Sequence, residues 1–173
     1  MNRVPLLFLL IAGTIGVIIN HGLRHENPLP DGLTIDSLHI LKKQRKMSAF
    51  SAGKLVKTYS IALGSNPEGH KEVEGDGRTP EGTYFISSKS TESRFHMNLG
   101  VSYPDSSDVS NARHRGLAPG GDIKVHGLRT FLGVVGRYHT LVDWTAGCVA
   151  VTNAEIEELY RAVPLGTRIV IVR

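Results

Sequence analysis

The chain has 173 residues, with 20 lysines and arginines against 16 acidic residues, a net charge of +4 and a single cysteine. That length supports one domain with a full hydrophobic core once an N-terminal segment is set aside, and is short for two. The mild basic balance comes without a Lys/Arg run interleaved with aromatics, so no nucleic-acid partner is expected. One cysteine excludes an intramolecular disulfide and leaves a thiol that is either buried and inert or has a task.

In chain order, Arg3 precedes an uncharged apolar run from Val4 to Ile19, VPLLFLLIAGTIGVII, 16 residues long. That length falls between a signal-peptide core and the roughly 20 apolar residues of a spanning helix. No small-x-small cleavage site follows, so residues 1–22 are expected to be an uncleaved membrane anchor with Arg3 on the cytoplasmic side, a signal helix being the alternative. Residues 23–33 read as a linker, because His25 to Gly32 (HENPLPDG) carries two prolines and a glycine. The folded domain is expected over residues 34–173.

Short β-like runs dominate the domain: Ile35 to Leu41, Lys46 to Ser51, a turn at Ala52-Gly53, then Leu55 to Leu63. In the last of these Leu55, Tyr59, Ile61 and Leu63 share one face of a period-2 pattern, which predicts an antiparallel meander. Residues Gly64 to Gly82 form a long Gly/Pro-rich loop before a strand at Thr83 to Ser87, and a loop of that length inside a compact domain predicts an ordered, substrate-facing segment. Tyr103 to Asp122 reads as a second irregular region, ending at a strand from Ile123 to Val125. One helix is predicted, starting at Thr152: Thr152-x-x-Glu155 is a capping box, and Ile156, Leu159, Tyr160 and Val163 form one apolar stripe before Pro164 and Gly166. Thr167 to Val172 reads as a final buried strand. The fold class is therefore mainly β with a C-terminal helix packed against the sheet.

Three features converge on Cys148. It lies in Thr145-Ala146-Gly147-Cys148-Val149, a glycine-preceded turn whose backbone N–H groups can face a carbonyl oxygen, as an oxyanion hole requires. His126 ends the strand before it and offers an imidazole to take the thiol proton. Gly127, with no side chain, leaves that base unobstructed, and its carbonyl can hold one tautomer.

These residues resemble the L,D-transpeptidase catalytic domain, also called the YkuD domain, and within it the YafK-like branch. The resemblance runs through GDGRTPEGTYFI (Gly75 to Ile86), LGVSYPD (Leu99 to Asp105), GGDIKVHGL (Gly120 to Leu128) and DWTAGCVAVTNAEIEEL (Asp143 to Leu159), and covers roughly Thr34 to Arg173. It implies a β-sandwich in which Cys148 is the nucleophile, His126 its base, the Gly127 carbonyl the group that orients the base, and the Gly147 and Cys148 amides the oxyanion hole. It implies no cofactor. The implied reaction breaks the bond between the third and fourth residues of a peptidoglycan stem tetrapeptide, releases D-alanine and holds the remainder as a thioester. An acceptor amine then takes it, either the diaminopimelate side chain of another stem or a lysine of an outer-membrane lipoprotein; water as acceptor would make the protein a carboxypeptidase or a hydrolase that detaches lipoprotein. A noncatalytic wall-binding module is the third reading, disfavoured by the intact Cys148 and His126. The expected location is the periplasm or cell envelope, anchored in the inner membrane.

The chain departs from the family pattern at two positions. Many members carry a basic residue before the Gly-Cys pair and an arginine two residues after the cysteine, where this chain has Ala146 and Ala150. Arg137 or His139, upstream of Asp143-Trp144, are candidates to restore the charge on the substrate side, with ordinary loop residues as the alternative. Trp144 and Thr145 are placed beside the substrate, Trp144 either shaping the cysteine turn or stacking on a sugar. His70, His96 and His114 lie in polar loops without H-E-x-x-H or C-x-x-C spacing, so no metal is expected. Asp122 and Asp143 are read as turn formers.

Overall fold

The computed structural model describes residues 27–173, so the reading of the N-terminal segment as an anchor falls on residues outside those described. Among the described residues no helix is long and apolar enough to cross a membrane.

The first three strands, β1 (Ser37–Leu41), β2 (Lys46–Ser51) and β3 (Lys54–Ser60), form the antiparallel meander that the period-2 pattern predicts. Leu38, Ile40, Met47, Ala49 and Tyr59 alternate into the core with exposures of 1% or less. Leu55 does not join them and is exposed. The register slips between Ala49 and Phe50, so that Ala49 faces Lys57 but Phe50 faces Leu55, with Val56 as the extra residue of a bulge. A bulge moves every residue beyond it to the other face, which removes Leu55 from the stripe of Tyr59, Ile61 and Leu63.

The rest of the sheet comprises β4 (Gly82–Ser93), β5 (His96–Val101), β6 (Lys124–His126), β7 (Val149–Ala150) and β8 (Arg168–Val172), in spatial order β3-β2-β1-β8-β4-β5-β6-β7. β4 is more than twice the length the sequence predicts, because its first part pairs with β8 and its second with β5. A register irregularity between Ile86 and Ser88 lets it turn from one half of the sheet into the other. The sheet curls until its ends meet: Ala62, just past β3, exchanges two backbone hydrogen bonds with Ala150 of β7, at 3.0 and 2.8 Å. One hydrophobic core fills the space between the two halves, from Leu38 and Ile40 to Leu99, Val125 and Val149.

Among the described residues two α-helices flank the sheet. α2 (Asn153–Ala162) starts as predicted: Thr152 Oγ1 accepts from Glu155 N, and Glu155 Oε2 accepts from Thr152 N at 2.8 Å. Its stripe of Ile156, Leu159 and Val163 is fully buried. α1 (Ser106–His114) lies inside the stretch read as irregular. It too has a capping box, in which Asp105 accepts from the amides of Ser107 and Asp108 while Asp108 Oδ2 accepts from Asp105 N. Its sequence, SSDVSNARH, has almost no apolar stripe, so periodicity does not reveal it. Residues 130–141 wind as 3₁₀ turns broken at Gly136.

The segment read as a linker is, from Leu29 onward, part of the domain. Leu29 joins the core, and its N–H donates to Glu158 Oε2 at 2.9 Å. Glu158, on α2, also receives Lys57 Nζ, and both side chains of that pair are largely buried. Removing one partner leaves the other charge buried and unpaired. Glu158→Ala is therefore expected to lower stability by about 3 kcal/mol, read as a lower urea midpoint, and an unchanged midpoint would show that the pair contributes nothing net.

Candidate functional site

β6 and β7 run parallel, with Val125 opposite Val149 and His126 opposite Ala150. Val125 and Val149 are fully buried in the core, so period-2 alternation sends Lys124 and His126 of β6 to the other face of the sheet, together with Cys148 and Ala150 from the β7 side. This juxtaposition, set by the register of two very short strands, brings the thiol and imidazole to one place.

His126 is buried, and its Nδ1 lies 2.7 Å from the carbonyl oxygen of Gly127. A carbonyl only accepts, so Nδ1 carries the proton and Nε2 the lone pair, the tautomer a base needs. A side chain at Gly127 would collide with Asn153 Oδ1, and that same oxygen accepts from Leu128 N at 2.7 Å. The start of α2 thus fixes the backbone that orients the histidine. Phe95, at the tip of the β4–β5 hairpin, stacks on His126 at 4.6 Å, and Trp144 meets it edge-on at 5.8 Å.

Cys148 Sγ is 3.6 Å from the carbonyl of Asp122. Burial pushes the thiol's pKa up, opposed by the backbone N–H of Lys124. Burial also lowers the pKa of His126, opposed by the Gly127 carbonyl. Both shifts favour the neutral forms, so the resting site holds a thiol and a neutral imidazole rather than an ion pair.

The turn before the cysteine is built by Thr145. Its hydroxyl donates to Cys148 O at 2.7 Å and accepts from Gly147 N at 3.1 Å. Thr145 is buried with its hydroxyl's donor and one acceptor site used inside the turn, so it shapes the cysteine loop and does not face substrate. The same bond occupies the Gly147 amide, one of the two donors expected for the oxyanion hole. Gly147 has φ +133°, and a Cβ there would lie 2.6 Å from the carbonyl of Arg78. Asp143, read as a turn former, pins the loop to the sheet: its Oδ2 accepts from Arg45 Nε and Nη2 at 3.1 and 2.7 Å, and its Oδ1 from Leu63 N at 2.9 Å.

Of the two residues proposed to restore positive charge, Arg137 lines a separate cleft whose walls include neither Cys148 nor His126. His139 meets Trp144 edge-on at 6.5 Å. It is buried, neither ring nitrogen has a hydrogen-bond partner, and burial with the neighbouring His126 holds its pKa at about 4. It is neutral at physiological pH and supplies no charge. Ala150 is fully buried where its backbone closes the sheet against Ala62. The charges acting on the thiol are Asp122, which raises its pKa, and Lys124 and Lys71, which lower it, two lysines the sequence reading passed over. Lys124 precedes His126 by two, so strand alternation alone was a signal for it; Lys71 comes from the long loop and had none.

That loop, residues 64–82, is ordered as predicted. Lys42, fully buried, donates to the carbonyls of Gly69 and Thr79 and to Glu81 Oε1. Asp76 gathers Lys71 Nζ and the amides of Glu72, Val73 and Arg78. Burial alone would raise its pKa, but these donors outweigh it and hold Asp76 at about 2. Among the described residues no group of three or more His, Cys, Asp or Glu side chains could hold a metal ion.

Gly147→Ala is expected to displace the turn and abolish selective thiol labelling while the protein still folds; undiminished labelling would show that the turn tolerates a side chain. Labelling of Cys148 by iodoacetamide is expected to keep accelerating above pH 9, because the raised pKa delays the thiolate, and a plateau reached near neutrality would contradict the neutral resting pair.

Comparison with known proteins gives the family and the fold. The family model of the L,D-transpeptidase catalytic domain, YkuD, matches residues 33–171. A candidate L,D-transpeptidase of Bacillus subtilis (strain 168), YqjB, is 26% identical over 149 residues, spanning 84% of this chain and 74% of that protein. The crystal structure of the helical cell shape determining protein Pgp2 from Campylobacter jejuni superposes with a TM-score of 0.59 at 19% identity, over 90% of this chain and 54% of that one. An L,D-transpeptidase from Xylanimonas cellulosilytica superposes with a TM-score of 0.50 at 17% identity, over 84% and 64%. The likeness to these structures is one of fold, and the chain spans only about half to two thirds of their length.

Proposed function

The chain belongs to the YkuD family of L,D-transpeptidase catalytic domains, and from that premise we propose that it is a cysteine-dependent peptidoglycan L,D-transpeptidase of the YafK-like branch, held in the cell envelope by its N-terminal segment. The observation that carries the reading is the placement of Cys148 and of a His126 locked in the Nδ1–H tautomer on one face of the parallel β6–β7 pair. Family members act on peptidoglycan stem peptides, and the substrate proposed here is the stem tetrapeptide.

In this mechanism the Nε2 lone pair of His126 takes the thiol proton as Sγ attacks the carbonyl between the third and fourth residues. Proton transfer is coupled to attack, since the resting groups are both neutral. The Cys148 N–H is the donor assigned to the developing oxyanion, the Gly147 N–H being engaged by Thr145. The C–N bond breaks, the imidazolium protonates the departing D-alanine amine, and a thioester remains. The acceptor amine then attacks the thioester, passes its proton to His126, and the thiolate leaves and is reprotonated. Phe95 and Trp144 wall the imidazole.

Mass spectrometry of a mixture with purified disaccharide-tetrapeptide tests this. Intact protein is expected to gain the acyl mass at Cys148 and to yield crosslinked dimers and D-alanine. Cys148→Ala should yield neither, and His126→Ala should slow acylation by about 10²- to 10⁴-fold. Tripeptide without dimers would move the assignment to hydrolysis, and no acylation of the intact protein would overturn it.

A further inference from the structure

The segment from Arg129 to Trp144 carries the most exposed apolar side chains beside the site: Phe131, Val134, Leu141 and Val142 are 64–78% exposed. Such residues scattered singly need no explanation, but four in one short segment form a patch of the kind that marks a contact surface. Leu141 also lines a cleft of ≈ 910 Å³ between this segment, β3 and the start of α2. Val56, the extra residue of the β3 bulge, faces the same cleft with Lys46 and Arg137, against one acidic residue, Glu155, while Lys57 on the same wall is paired with Glu158. Asn27, the first described residue, lies on its wall.

That position constrains what the patch can face. Leu29 is already bound to the domain through the core and Glu158, so no free linker follows it. The apolar run ends at Ile19, eight residues before Asn27. At roughly 3.5 Å per extended residue those span at most about 28 Å. Whatever holds Val4 to Ile19 therefore lies within that distance of this face.

We infer that the apolar and basic face formed by residues 131–142 and the bulged edge of β3 rests on an anionic bilayer surface, the exposed side chains entering the headgroup region and the cationic cleft residues facing lipid phosphates. The inference rests on the proposed anchor, which brings the bilayer within reach. An interfacial site combines these features: apolar side chains without net burial in the protein, flanking cations, and an aromatic residue, Trp144, at the edge of the patch.

Trp144 is the chain's single tryptophan, so it reports on the contact directly. The full chain would be reconstituted into phosphatidylethanolamine/phosphatidylglycerol vesicles with brominated acyl chains, and Trp144 emission compared with that in unbrominated vesicles. The expected result is flotation that survives a high-salt wash, at least twofold quenching of Trp144, and loss of most of that quenching in the combined variant Phe131→Ser, Val134→Ser, Leu141→Ser, which should float like the parent and retain its circular dichroism. Salt-resistant flotation without quenching would overturn the docked face and leave the anchor standing; absence of flotation would overturn both. Quenching that the triple variant leaves unchanged, or a dimer in the vesicles that the variant breaks without any quenching in the parent, would also overturn it, the latter assigning the face to a second copy of the chain.

Discussion

Three stretches of backbone meet behind the cysteine with no room for a side chain between them. A Cβ on Gly64 would lie 2.1 Å from the carbonyl oxygen of Gly77 and 3.0 Å from the Cα of Gly147. This contact joins the end of the first meander, the long loop and the cysteine turn, and the rest of the site is built out from it. Beside it, the Ala62–Ala150 hydrogen bonds close the curled sheet, and Ser65 N donates to Thr145 O at 2.9 Å. The cysteine turn is therefore held from the side of the sheet opposite to its own strand pairing, and can keep a strained-looking φ at Gly147 because backbone on both sides fixes it.

The charged groups around this junction mostly hold backbone. Lys42 and Asp76 are each surrounded by several partners from the loop, which gives a segment poor in apolar residues an ordered shape. Asp143 and Arg45 do the same for the start of the cysteine turn. The site itself is left nearly uncharged: the imidazole, the thiol and His139 are all biased by burial toward their neutral forms. A neutral thiol and imidazole are slow to react with small electrophiles.

At the position where many family members carry an arginine, this chain has Ala150, paired with Ala62 where the sheet closes. The charges acting on the thiol are mixed, Asp122 raising its pKa and Lys124 and Lys71 lowering it.

The sequence by itself determined the meander, the α2 cap and stripe, and the final strand, because each is written in local periodicity or in a short motif with its own hydrogen-bond logic. It also carried the family, through four ordered motifs. It did not reveal α1, whose capping box precedes a helix without an apolar stripe, nor the bulge that exposes Leu55, since register is decided by the partner strand. Only the tertiary structure decided that Thr145 builds the turn and consumes the Gly147 amide, that Asp143 is an anchor, that the expected linker is docked from Leu29, and that His139 is buried and neutral. Each of these depends on which distant backbone or side chain arrives within about 3 Å, and no spacing along the chain encodes that.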